Sequence, residues 1–277
     1  MKYIKPFLLC FAYSGLWAQG ETDVYLIDLT KDLDTPTNIS RNRGYDNQPS
    51  FWDNDYLLYT RTRAGQTDIV RYHLNSKKME WLSDTPQGSE YSPLRIPESD
   101  AFSAIRLDTT GLQRLYRYDL KGPISLVDPN LKIGYHRWIS VTSLLCTVLV
   151  EDHMNLMLVQ PDSSATLIAE KVGRSLHRIP NTKQFSFIQQ KKGKNVLSSY
   201  DPTTQLIQSL LTLPEGVQDV AWLASGTLIF GQGDRLFQWD PTTSTEVGIW
   251  KKLEGINNIS RLAVSPNGKL LALVGEE

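Results

Sequence analysis

The sequence predicts an all-β protein, a six-bladed β-propeller whose ring is closed by pairing the N-terminal outer hairpin with the C-terminal inner hairpin. Three observations lead to this prediction. A strand–turn–strand pattern recurs six times, a second hairpin pattern lies between its copies, and the chain opens on the first kind of hairpin and finishes on the second. A repeat of roughly 40 to 45 residues is typical of four-stranded propeller blades.

The first pattern is a strand, a tight turn and a second strand, and we assign it to the outer half of each blade. In the third copy Leu115, Arg117 and Asp119 alternate with Tyr116 and Tyr118, as expected of a strand with two different faces. Most copies carry Asp at the turn, where its side chain can bond the backbone, so His73 is expected to act as a turn residue too. The six turn positions are Asp28, His73, Asp119, Gln160, Asp201 and Asp240.

The second pattern, assigned to the inner half of each blade, is clearest at residues 49–60 and 261–274. Weaker copies start near Pro93, Arg137, Arg178 and Ala221. Six outer and six inner hairpins make six blades only if the first outer hairpin joins the last inner one. That closure leaves only short, protected strand edges. We therefore expect a single propeller domain over residues 22–277.

The N-terminus has the layout of a secretory signal. Lys2 and Lys5 precede an apolar run that begins at Phe7, and the small residue Ala18 suits cleavage before Gln19. We expect residues 1–18 to be a signal peptide and the protein to be periplasmic or secreted.

Cleavage at that point would leave Cys146 as the only cysteine, because Cys10 belongs to the signal segment. One thiol cannot form an internal disulfide, and no His base stands near it in the sequence. We expect Cys146 to be a buried strand residue.

Composition limits the classes of partner. Hydrophobic residues make up 40% and charged residues 21%, as in folded globular proteins. The formal charge of -1 gives no basic excess, so we expect no nucleic-acid partner. No uninterrupted apolar run is long enough for a transmembrane segment. We expect a monomeric propeller with a protein or peptide partner.

The repeat resembles that of the TolB-like β-propeller family. Residues 45–51 followed by 57–61 match it best, residues 68–70 resemble the start of its third strand, and residues 265–269 resemble the turn between its inner strands. The third, fourth and fifth copies depart from this pattern. The resemblance covers nearly the whole predicted domain. It implies an exported or periplasmic propeller used for protein contacts.

Family members often carry an additional N-terminal domain, which we do not expect here. The specific role of TolB in an envelope complex is therefore not carried over to this chain. Some peptidases carry a similar propeller in front of a hydrolase domain, and we expect no such domain either.

The sequence contains none of the common catalytic motifs. The sequence has no Gly-x-Ser-x-Gly elbow, no His-Glu-x-x-His zinc motif and no phosphate-binding loop. The four histidines, His73, His136, His153 and His177, show no metal-ligand spacing. We expect no catalytic residues, no metal site and no cofactor.

A candidate ligand site lies in the residues just before the innermost strand of each blade, a position that tends to lie near the mouth of a propeller's central channel. This column is rich in acids, aromatics, histidines and arginines, which would suit a polar ligand or a peptide segment. Loop residues are often polar for reasons of solubility alone. The candidate residues are Tyr45, Asp46, Glu90, Tyr91, Tyr135, His136, Arg137, His177 and Arg178.

Three functions remain open. The first is a binding or scaffolding module, because a propeller is a rigid disc with loops on two faces. The second is a propeller enzyme of the lactonase, cyclase or lyase type, with Asp46, Glu90, His136 and His177 as candidate active groups. Metal dependence of folding or activity would favour the enzyme. The third is a structural part of an envelope or surface assembly.

Overall fold

A computed structural model describes residues 20–31, 36–122, 124–160 and 164–277. The signal segment predicted at residues 1–18 lies outside the described residues. The described residues form 24 strands in six four-stranded antiparallel sheets and contain no helix. Within those ranges, therefore, no helix is long and apolar enough to span a membrane.

Each sheet is one blade of the propeller. The chain first forms β1 (Asp23–Asp28) and β2 (Thr37–Asn38), which belong to the closing blade. Blade 1 contains β3 (Asn47–Phe51), β4 (Tyr56–Arg63), β5 (Gln66–His73) and β6 (Met79–Trp81). Blade 2 contains β7 (Gly88–Arg95), β8 (Ala101–Asp108), β9 (Gln113–Asp119) and β10 (Ile124–Leu126). Blade 3 contains β11 (Ile133–Trp138), β12 (Leu144–Val150), β13 (His153–Val159) and β14 (Ala165–Ala169).

The remaining strands complete the ring. Blade 4 contains β15 (Val172–Arg178), β16 (Phe185–Lys191), β17 (Lys194–Tyr200) and β18 (Ile207–Thr212). Blade 5 contains β19 (Ala221–Trp222), β20 (Leu228–Gln232), β21 (Arg235–Trp239) and β22 (Gly248–Lys252). The last two strands, β23 (Asn257–Val264) and β24 (Leu270–Glu276), join β1 and β2 in the closing blade.

The two ends of the chain share one blade, as predicted. Strand β1 pairs antiparallel with β24 along its whole length, with Val24 opposite Val274 and Asp28 opposite Leu270. The order across the sheet is β2, β1, β24 and β23, so the N-terminal hairpin is the outer half of the blade and the C-terminal hairpin the inner half. The predicted six-bladed, closed all-β architecture is confirmed.

The outer turns use side chains to hold the backbone. Asp201 Oδ1 accepts a hydrogen bond from the N–H of Thr203 at 2.8 Å. His73 plays the same part in blade 1, where its Nδ1 accepts the N–H groups of Asn75 and Ser76, both at 3.2 Å. The predicted turn role of His73 is confirmed, because the neutral imidazole nitrogen replaces a carboxylate oxygen as acceptor.

The apolar core of the described residues is divided into six clusters, and each lies between two neighbouring blades. Val24 and Val274 of the closing blade, for example, pack with Tyr59 and Val70 of blade 1. Cys146 is buried between blades 2 and 3, as predicted, and burial raises the pKa of its thiol to about 12. Packing between blades makes the ring a rigid frame for the channel that it surrounds.

Candidate functional site in the central channel

The innermost strands of the six blades line a central channel, and their carboxyl-terminal halves surround a cavity of about 560 Å³. Five of these strands slip in register against their neighbour, as β3 does between Asn47 and Ser50. Such bulges interrupt the alternation of side chains and re-aim individual residues. In β3 and β7 they place Gln48 and Ser92 at positive φ, and Gln48 Oε1 accepts the N–H of Ser92 at 2.7 Å.

Guanidinium groups outnumber carboxylates on the wall of this cavity. The lining carboxylates are Asp219 and Glu98, of which Glu98 is exposed on the loop after β7. The arginines come from blades 2, 3 and 4 and from the closing blade. They are Arg95, Arg137, Arg174, Arg178 and Arg261. An excess of fixed positive charge in a concave site favours an anionic ligand.

The buried acid of the cavity, Asp219, is held in its ionised form. Its Oδ2 accepts the N–H of Leu262 at 3.1 Å, and its Oδ1 lies 3.8 Å from His177 Nε2. Burial alone would raise the pKa of Asp219, but His177, Arg261 and Arg174 together lower it below its ordinary value. Asp219 therefore offsets part of the positive charge of the two arginines near it.

Arg261 and Tyr135 meet across the channel and form its floor. Arg261 Cζ lies 5.2 Å from the centroid of the Tyr135 ring, and its Nη2 lies 3.5 Å from the Tyr135 hydroxyl. Tyr135 and Arg174 line both the main cavity and a second one, of about 520 Å³, toward the amino ends of β11 and β15. These side chains therefore stand between the two cavities.

Tyr45 and Tyr91 lie beside this floor, with their ring centroids 6.2 Å apart in an edge-to-face contact. Burial raises the pKa of Tyr45 to about 12, although the nearby charge of Arg261 acts in the opposite direction. Both tyrosines were predicted site residues. The structure places them next to the floor and outside the lining of the main cavity.

Arg137 and Arg178 face the main cavity from neighbouring blades. The side chain of Arg137 forms no hydrogen bond and no ion pair with any residue that the structure describes. Arg178 is exposed and donates from Nε to the carbonyl oxygen of Thr182 at 3.4 Å. The pKa of Arg137 is lowered, first by burial and then by the like charge of Arg178. Their donors therefore point into a cavity that supplies little negative charge.

His136 lines the cavity, but its side chain hydrogen-bonds across the interface between blades 2 and 3. Its Nε2 lies 2.7 Å from Ser103 Oγ, and the Trp138 indole N–H donates to the same oxygen at 2.8 Å. Burial, with a smaller contribution from Arg137, lowers the pKa of His136 to about 3. The ring is therefore neutral over the physiological range and holds two blades together.

Asp46 lies in the loop before β3, is fully buried, and contacts residues of that loop and of β4. Its Oδ1 accepts Asn42 Nδ2 at 3.0 Å and the N–H of Thr62 at 3.1 Å, and its Oδ2 lies 3.2 Å from Arg61 Nη1. Burial raises the pKa of Asp46 despite these partners. The structure does not bring Asp46 into the main cavity.

Glu90 is also fully buried, in a polar network between blades 1 and 2. Its oxygens bond Tyr118 Oη at 3.1 Å and Ser83 Oγ at 3.2 Å, and Ser83 Oγ lies 3.4 Å from Asp68 Oδ1. Burial and the neighbouring charge of Asp68 raise the pKa of Glu90 to about 7. When Glu90 is protonated, its carboxyl group can donate to Ser83 Oγ, and the Ser83 hydroxyl can donate to the Asp68 carboxylate. Burial acts to raise the pKa of Asp68, but hydrogen bonds from Gln66 and Arg63 lower it below its ordinary value.

Five of the nine predicted site residues thus line the main cavity, and four do not. The predicted set of site residues leaves out three residues that matter there: Arg174, Asp219 and Arg261. Arg174 and Arg261 lie inside inner strands. The sequence feature that could have identified them is a charged residue within a predicted inner strand. Asp219 lies two residues before the inner strand of blade 5 and belongs to the same column as the predicted residues.

The cavity wall does not offer a set of donors that suits a divalent cation. Across the described ranges, no three His, Cys, Asp or Glu side chains are grouped so that they could hold a metal ion. Calcium and magnesium prefer several oxygen ligands, whereas most charged groups here are guanidinium groups.

No family model and no curated protein sequence matches the chain. Solved structures do match it in fold. The putative TolB from Agrobacterium tumefaciens has a TM-score of 0.72 at 15% identity, over 92% of this chain and 98% of that chain. A gluconolactonase from Xanthomonas campestris has a TM-score of 0.65 at 11% identity, over 94% of this chain and 97% of that one. An oligogalacturonate lyase in complex with manganese has a TM-score of 0.61 at 16% identity, over 91% and 82%.

These likenesses confirm the TolB-like six-bladed propeller that the repeat predicts, and at such identities they extend to the fold alone. Because the neighbours include both TolB and enzymes, the fold does not distinguish a binding protein from a catalyst.

Proposed function

We propose that the protein is an exported, non-catalytic propeller that binds a protein or peptide partner in the cell envelope through the main channel cavity. One observation carries this proposal: a cavity of about 560 Å³ whose wall combines charged and apolar side chains from all six blades. Its size lies within the range of known ligand sites, and rigid walls reduce the entropic cost of binding. A peptide segment has both the charged and the apolar groups that such a wall can recognise.

The same proposal includes residues 1–18 as a cleaved signal, residues 22–277 as one domain, and a monomer in the periplasm or outside the cell. The run of apolar residues after Lys5 and the likeness to TolB-like propellers support it.

Peptide display with site-specific crosslinking tests the proposal. Short random peptides are selected on the purified protein, and a photo-crosslinking residue is placed either at Ser140, which lines the cavity, or at Ile249, an exposed residue on the outer strand β22. Selected peptides should crosslink from position 140 and not from position 249. Failure to select any peptide, or crosslinking from position 249 alone, would contradict the proposal.

A second candidate is a propeller enzyme, and the pair His177 and Asp219 favours it. These two groups lie together in the cavity beside Arg174 and Arg261. A histidine next to a carboxylate can serve as a general base, and arginines can stabilise a developing negative charge.

Direct assays separate this candidate from the first. Purified protein is incubated with a panel of sugar lactones and oligogalacturonates, alongside the His177→Asn variant. Turnover that is lost in His177→Asn would establish the enzyme. Equal background rates for both proteins would count against it.

A further inference from the structure

The wall of the main cavity carries more positive than negative charge. Asp219 is already engaged by the N–H of Leu262 and lies close to Arg261 and His177, so it has little capacity to neutralise other groups. Glu98 is exposed to solvent, where its charge is screened. Arg137 of blade 3 and Arg178 of blade 4 are therefore left without an acidic partner among the described residues that line the cavity.

Arg137 and Arg178 contribute the part of this positive charge that no carboxylate offsets. They project from adjacent blades into one cavity, and their charges oppose each other closely enough to lower the pKa of Arg137. Within the described ranges the side chain of Arg137 makes no hydrogen bond or ion pair, and that of Arg178 makes a single long hydrogen bond, to Thr182. An unpaired, partly buried cation such as Arg137 raises the free energy of the folded protein, and an anion bound between it and Arg178 would reduce that penalty.

The geometry of guanidinium groups indicates which anion fits. Each presents several N–H donors in a plane, which match the two oxygens of a carboxylate in a bidentate arrangement. The cavity has room for such a group together with its chain. Half-buried apolar side chains, Leu94, Ile139 and Val264, line the same space and could pack against apolar neighbours of the acid.

We propose that Arg137 and Arg178 bind a carboxylate of an acidic peptide segment that enters the channel at the carboxyl-terminal ends of the inner strands. The inference rests on the proposed function and adds to it the chemistry of the partner: aspartate or glutamate side chains next to apolar residues. The Arg261–Tyr135 floor limits how far the segment can enter, and Arg174 provides a further positive charge at that depth.

Fluorescence anisotropy with two matched peptide sets provides the test. One set fixes Glu at two positions and draws the rest from Leu, Ser and Gly; the other is identical except that Gln replaces Glu. We expect the Glu peptides to bind more tightly by on the order of tenfold or more, and their affinity to fall as salt is raised.

Matched variants locate the site. Arg178→Glu reverses an exposed charge at the cavity, whereas Arg43→Glu reverses an exposed charge outside it. We expect Arg178→Glu and Arg137→Gln to weaken the Glu peptides on the order of tenfold or more, and Arg43→Glu to leave them nearly unchanged. Melting temperatures of all variants establish that they are folded. If Arg137→Gln fails to fold, the comparison of Arg178→Glu with Arg43→Glu still shows whether the Glu peptides bind at the cavity.

The outcomes separate this inference from the proposed function. If Glu and Gln peptides bind equally well and still crosslink from position 140, the carboxylate site is wrong and the peptide-binding function stands. Equal weakening by Arg178→Glu and Arg43→Glu would overturn the site. If neither peptide set binds but oligogalacturonate does, both proposals fail and an acidic sugar becomes the ligand.

Discussion

Arg261 of the closing blade lies over the ring of Tyr135 of blade 3, with 5.2 Å between the guanidinium carbon and the ring centroid. These blades are opposite each other in the ring, so the contact spans the channel. Arg261 also balances the buried carboxylate of Asp219 in blade 5. One side chain thereby connects three blades at the base of the cavity.

Removing that charge should destabilise the protein. Arg261→Gln removes the guanidinium charge that acts most strongly on Asp219, and leaving a buried polar group less well compensated costs about 1–3 kcal/mol. In the folded protein the pKa of Asp219 lies below its ordinary value. Ionised Asp219 therefore stabilises the fold at pH values above its ordinary pKa, and this contribution is lost as pH falls through the lowered pKa. The variant should raise this pKa and shift acid unfolding to higher pH.

Urea denaturation and an acid titration followed by circular dichroism check this prediction. Arg235→Gln is the control, since Arg235 is exposed and lies 3.6 Å from Asp234 at the surface. Its loss should cost about 1 kcal/mol or less. Equal effects of the two variants would contradict the account of Asp219.

Glu90 should make stability depend on pH near neutrality. Its folded pKa, about 7, lies above the ordinary value of 4.5, so its contribution is fully present below 4.5 and is lost as pH rises through 7. Glu90→Gln mimics the protonated acid, because its amide can donate to Ser83 and accept from Tyr118. The variant should be more stable than the native protein above pH 7, on the order of 2–3 kcal/mol, and lose that advantage toward pH 4.5.

Urea midpoints measured across this pH range test the prediction, with Glu215→Gln at an exposed site as the control. A constant difference between Glu90→Gln and the native protein at every pH would show that folding does not raise the pKa of Glu90.

Two serines hold tryptophans across blade interfaces and should differ in importance. Ser103 Oγ contacts both the Trp138 indole N–H and His136 Nε2, whereas Ser186 Oγ accepts the Trp222 indole N–H at 2.8 Å. Leaving a buried polar group unpaired costs about 1–3 kcal/mol. Ser103→Ala should therefore lower the free energy of unfolding more than Ser186→Ala. Chemical denaturation of both variants measures the difference, and equal losses would argue against the bond to His136.

Gly231 should be intolerant of a side chain because of close packing between blade 5 and the closing blade. A Cβ there would collide with the side chain of Ile259 and lie 3.1 Å from its carbonyl oxygen. Overpacking of this kind costs about 1–3 kcal/mol. Gly248, in β22 of the same blade, has no such neighbour within 4 Å. Thermal melting should show a loss of stability for Gly231→Ala and little change for Gly248→Ala; unchanged melting of both would contradict the packing.

The fold could be predicted because its signals are local and repeated. Turn residues such as Asp201 and His73 mark each outer hairpin, and the two chain ends carry complementary halves of one blade. Pairing of β1 with β24 is a long-range contact, yet the count of hairpins was enough to predict it.

The candidate site could be predicted only in part, because the position of a residue before an inner strand does not fix the direction of its side chain. A shift of one residue reverses the face of a strand, and bulges in five inner strands make the register irregular. Arg137 and Arg178 reach the cavity, whereas Asp46 and Glu90 find buried partners. Arg261 was not predicted as a site residue, because its role depends on a contact with Tyr135 on the opposite side of the ring.

A crystal structure of the protein with the tightest-binding Glu peptide is the most direct test of the channel as the binding site. We expect peptide density in the cavity, with a carboxylate within hydrogen-bond distance of Arg137 and Arg178 and the chain stopping at the Tyr135–Arg261 floor. Peptide bound along the outer strands of the blades, with no peptide density in the cavity, would contradict the central claim.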